Sequence, residues 1–114
     1  MAQFFSLYGQ RYPGQNVTFN KHELGQILSV YGTRVSKGEW KDYALDCTGD
    51  SAMFSIFRHS NEKPAFVVSK TVGRGHMKRQ ARYSVMMEGK TVSHSNSLLE
   101  ALEVFYDKER KKER

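Results

Sequence analysis

From Trp40 to His94 the apolar residues recur with a period near two, and only turns and loops separate the runs. This feature constrains the fold most, because strands joined without helical crossovers pair antiparallel with their neighbours. Tyr43, Leu45 and Cys47 alternate with Asp42, Ala44 and Asp46, so one strand face is apolar and the other mostly polar. Thr48-Gly49-Asp50-Ser51 is turn chemistry. Ala52 to Arg58 is a second strand, apolar on both faces through Met53, Phe54, Ile56 and Phe57, as expected of a central strand or one covered on its second face. A loop from His59 to Pro64 leads to a third strand, Ala65 to Lys70, rich in β-formers. After a connection from Thr71 to Ala81, which holds Gly73 and Gly75, Tyr83 to Met87 is the fourth strand. Glu88-Gly89 is a two-residue turn with Gly89 supplying positive φ, and Lys90 to His94 is a short fifth strand.

Helices flank this region. Asn20 and Glu23 have capping-box spacing, with Phe19 and Leu24 as the hydrophobic staple. Leu24, Ile27, Leu28, Tyr31 and Val35 follow on one helix face, and Gly38 suits the position past the end, so a helix is expected at about residues 20–36. Ser97 and Glu100 repeat the box before a stripe of Leu98, Ala101, Leu102 and Phe105. The expected fold class is α+β: an N-terminal helix, an antiparallel four- or five-stranded meander sheet and a C-terminal helix. Both helices should cover one sheet face and leave the other open. Residues 1–18 read as an irregular arm, 19–106 as the domain and 107–114 as a charged tail. Phe4, Phe5, Leu7, Tyr8 and Tyr12 make the arm too apolar for a freely solvated tail, so some of it should pack on the body or on a second chain.

The chain has 114 residues, 18 Lys and Arg, 12 Asp and Glu, and a formal charge of +6. Residues 63–87 hold six basic residues (Lys63, Lys70, Arg74, Lys78, Arg79 and Arg82) and no acid, so the rest of the chain is balanced. Phosphate binding needs cations spaced along a backbone with little acid nearby. The expected nucleic-acid-binding residues are Arg58, Lys63, Lys70, Arg74, His76, Lys78, Arg79, Arg82 and Tyr83. Tyr83, His76 and Trp40 are the candidate stacking rings. The connection can instead enter a duplex groove as a basic ribbon. DNA is expected ahead of RNA, with a bacterial transcriptional regulator as one role. The competing reading is a non-enzymatic adaptor for an acidic protein, or a homodimer using the arm and the two-sided second strand.

Little points to catalysis. His22, His59, His76 and His94 lie at no zinc-ligand spacing, and the single cysteine, Cys47, falls on the apolar strand face. Asp42, Asp46 and Asp50 are accounted for as solvated charges. No nucleophile elbow, Walker loop or dinucleotide fingerprint is present. No enzymatic activity, cofactor, metal or small-molecule substrate is therefore expected. One cysteine precludes an intramolecular disulfide, and neither a signal peptide nor an apolar run of membrane-span length is present. The expected location is the cytoplasm, with no membrane partner.

Four blocks carry a resemblance. They are Phe19 through Gly32 with Glu23, Leu24, Ile27, Leu28 and Tyr31; Gly38-Glu39-Trp40-Lys41-Asp42-Tyr43-Ala44-Leu45-Asp46; Ala52-Met53-Phe54-Ser55-Ile56-Phe57-Arg58; and Lys78-Arg79-Gln80-Ala81-Arg82-Tyr83-Ser84-Val85. From about Val17 to Phe105 the chain resembles the alphaproteobacterial domain-of-unknown-function family 2794. The resemblance implies a bacterial, cytoplasmic, single-domain protein, and it carries over no catalytic or binding residue.

Overall fold

A computed structural model describes residues 17–59, 63–73 and 80–113, with side chains through Tyr106. Helix α1 is Lys21–Ser36. Five strands follow: β1 Asp42–Cys47, β2 Ser51–Phe57, β3 Phe66–Val72, β4 Ala81–Met87 and β5 Lys90–Ser95. Helix α2, Leu98–Glu113, closes the order, so helical backbone continues through the segment expected to be a tail. The sheet order is β1-β2-β3-β4-β5 with every pair antiparallel, which is the expected meander. A register shift at Val85/Met86 leaves Val92 as the extra residue on β5.

Alternation sorts the side chains into two faces. Ala52, Phe54 and Ile56 of β2, Phe66 and Val68 of β3, and Tyr83 and Val85 of β4 are buried beneath the helices. Both helices lie on this face. Phe105 of α2 meets Phe66 at 5.1 Å and Trp40 at 5.3 Å between ring centroids, while Tyr31 of α1 meets Phe54 at 5.9 Å. Arg34 links the helix layer: it donates to the Phe105 carbonyl at 2.6 Å, pairs with Glu39 at 2.9 Å and lies 5.5 Å over the Trp40 ring.

The caps are built differently at the two helices. At α1 the full box forms: Asn20 Oδ1 accepts from the Glu23 amide, and Glu23 Oε1 accepts from the Asn20 amide, both at 2.8 Å. At α2 only half forms. The Glu100 amide donates to Ser97 Oγ at 3.3 Å, but the Glu100 carboxylate is taken by Ser95 Oγ at 2.6 Å. The Ser97 amide donates to Ser95 Oγ instead, at 3.0 Å. A serine two residues upstream thus outcompetes the reciprocal bond.

The α1 stripe is rotated from expectation. The buried line is Glu23, Ile27 and Val30, whereas Leu28 and Val35 are exposed. An apolar stripe is about 100° wide and does not fix which flank turns inward. Here the polar bonds of Glu23 to the sheet, together with α2, set the roll.

Candidate nucleic-acid interface

The described cations of the basic stretch, Lys63, Lys70 and Arg82, do not share one surface. Lys70 and Tyr83 are direct cross-strand partners on β3 and β4, and both lie on the helix-covered face. Lys70 Nζ donates to Glu23 Oε1 at 2.8 Å and to the Thr18 carbonyl at 2.9 Å. The Tyr83 hydroxyl donates to Glu23 Oε2. Burial pushes the Glu23 carboxyl up, but hydrogen bonds from Lys70, Tyr83 and the Asn20 amide, with the Lys70 charge, outweigh it and hold the group below its ordinary value. Burial, reinforced by Glu23, pushes the Tyr83 phenol up to about 12, so it remains a donor. Two Lys70 N–H donors, the Tyr83 hydroxyl and both Glu23 carboxylate oxygens are engaged within the fold. Lys70 is thus paired to a carboxylate on the helix-covered face rather than held out on the open one, and the Tyr83 ring is buried. Trp40 is also removed as a stacking candidate, since it is a core residue between Phe66 and Phe105.

The parity that removes Lys70 and Tyr83 leaves Arg82 outside. Arg82 is exposed on the opposite face, beside Thr71 of β3, which pairs with Ser51 of β2. Its neighbours on that face form cross-strand rows. One row runs Asp46, Met53, Ser69, Ser84, His94, and the next runs Ala44, Ser55, Val67, Met86, Thr91. No acid projects from this face on the three central strands; acids stand only on the β1 edge, at Asp42 and Asp46, and in flanking turns. Among the described residues no helix covers this face.

Arg58 and Lys63 sit at the other end of the sheet, about 20 Å from Arg82 by strand rise. They line an open cleft of about 900 Å³ with Val67 and Met86 as its floor and Glu88 on its rim. The Arg58 guanidinium lies 5.6 Å over the Phe66 ring. Glu88 offsets one of the two cations there. Arg74, His76, Lys78 and Arg79 lie outside the described residues, in the connection that joins the β3 end to Ala81 beside Arg82.

Sequence reasoning missed three contributors: Glu23 as a buried counter-ion, the Ser69-Ser84 hydroxyl pair, and the cleft floor. Parity made the inward placement of Lys70 and Tyr83 readable, since residues 66, 68 and 70 share a face, as do residues 83 and 85, but it did not identify Glu23 as their partner. Among the described residues no group of three His, Cys, Asp or Glu side chains is placed to hold a metal ion. No helix among them is long and apolar enough to cross a membrane.

A family model described as "Protein of unknown function (DUF2794)" matches residues 17–102. No curated protein and no solved structure matches the chain.

Proposed function

This chain belongs to the DUF2794 family, which carries no assigned activity, and we propose that it is a non-enzymatic, cytoplasmic nucleic-acid-binding protein that uses the open face of its sheet. The observation that supports this reading is the acid-free central surface of β2, β3 and β4, which carries Ser51, Ser55, Ser69, Thr71 and Ser84 beside Arg82. Hydroxyls and cations without competing carboxylates are the groups that bind phosphate oxygens. The segment between Gly73 and Gln80, two residues before Arg82 in sequence, holds Arg74, Lys78 and Arg79 and no acid. A DNA-binding regulatory role follows as the finer form of the proposal.

The contacts invoked are to backbone phosphate, so affinity should vary little with sequence and strongly with salt. Fluorescence anisotropy with random-sequence duplex DNA, single-stranded DNA and RNA tests this. We expect affinity to fall at least about tenfold between about 50 and 200 mM salt, and Arg82→Ala to lower the log-log salt slope by about 1. Absence of binding to all three probes at the lower salt rules the reading out.

A further inference from the structure

The helix-side face of β1 is left half-covered. Tyr43 and Leu45 are 44% and 47% exposed although they share the face of the buried Phe54 and Ile56, and Leu28 and Val35 of α1 are 38% and 40% exposed alongside. The Tyr31 ring stands edge-on to Tyr43 at 5.2 Å and joins the two elements into one apolar strip. β1 is also the sheet's edge among the described residues. The Thr48 amide donates to the Ser51 carbonyl, so by antiparallel alternation the amides of Leu45 and Cys47 face away from β2. An exposed apolar edge of this kind needs a cover.

We propose that residues 1–16 of the same chain dock on this strip, with Phe4 to Tyr8 as the covering segment. The described chain begins beside it: the Val17 amide donates to the Thr48 carbonyl at 3.2 Å, one residue past the end of β1. Residues 9–16 reach at most about 28 Å when extended, against a strip about 20 Å long, so Phe4 to Tyr8 can lie anywhere along it. The segment supplies Phe4, Phe5, Leu7 and Tyr8, which match the strip in polarity.

Charge and tethering select this occupant over a second copy. Residues 1–16 contain no acid and one arginine, Arg11, whereas β1 carries Asp42 and Asp46. Two β1 strands paired antiparallel about Ala44 would set Asp42 opposite Asp46, a like-charge contact. A tethered segment also acts at an effective concentration in the mM range, which a second copy at micromolar concentration does not reach.

Cys47 lies on the strip's face and is the chain's single cysteine, so it reports coverage in the full-length protein. The test measures its reaction rate with an aromatic disulfide reagent in the wild type and in the full-length Phe5→Ser, Leu7→Ser, Tyr8→Ser variant, with sedimentation of both. We expect monomers throughout and a rate at least about tenfold higher in the variant, with amide exchange at Leu45 accelerated in parallel. Equal rates in the two proteins, or unchanged exchange at Leu45, overturn the proposal. So does protection that appears only at concentrations where the wild type dimerises, which would assign the strip to a second copy.

Discussion

Glu23 occupies three roles at once. It completes the α1 cap, neutralises Lys70 and accepts from Tyr83, and it is the buried acid of the described core. Removing only its charge separates these roles. Glu23→Gln leaves the Lys70 ammonium beside a neutral amide, with 13% of the Lys70 side chain exposed. We expect a loss of about 2–3 kcal/mol, read by urea denaturation, because an unpaired buried charge costs more than the pair contributes. The pH dependence has a definite sign. The carboxyl is held below its ordinary value of 4.5 in the folded state, so the unfolded chain takes up the proton first. The stability difference between wild type and Glu23→Gln should therefore be full above pH 4.5 and shrink as pH falls through the lower folded value. A difference that stays constant down through this range would show that the Glu23 charge is not what holds Lys70.

At the scale of elements, the β4–β5 turn contains a misfit that can be tested. Glu88 has φ +50° and Gly89 φ +86°, so both central residues are left-handed, as a type I′ turn requires. Glycine accepts this conformation; glutamate does so at a cost that asparagine largely avoids. Glu88→Asn should stabilise the protein by about 0.5 kcal/mol, seen as a raised urea midpoint with unchanged slope. The same change removes the acid from the rim of the Arg58–Lys63 cleft, so any anion bound there should bind more tightly. The helices teach a different lesson. The α1 box was legible because both partners lie within one turn, while the α2 box was altered by Ser95, a strand residue whose hydroxyl competes for the same carboxylate.

For the whole molecule, the decisive division is between the two faces of one sheet. Lys70 and Arg82 belong to the same acid-free stretch of sequence yet do opposite things. Lys70→Met should alter the melting temperature and leave the salt slope of nucleic-acid binding unchanged. Arg82→Ala should alter the slope by about 1 and leave the melting temperature unchanged. Thermal melts and anisotropy on the two variants check this pair, and the reverse pattern would place the interface on the wrong face.

What the chain's own order of residues determined is local. The period of two, the turn residues and the caps dictate strand, turn and helix, because each depends on neighbours within a few positions. The strand sequence and the absence of room for crossovers then leave the antiparallel meander as the economical topology. Parity within each strand was equally available, and it already places Lys70 with Phe66 and Val68. Only the tertiary structure decided which face the helices cover, how α1 rolls about its axis, and that Glu23 comes to rest against Lys70 and Tyr83. Those outcomes depend on contacts 47 and 60 residues apart, whose energies come from burial and pairing. A linear count of charges sees the six cations of residues 63–87 as one patch. The fold turns one of them inward to a carboxylate and sets Lys63 and Arg82 at opposite ends of the sheet.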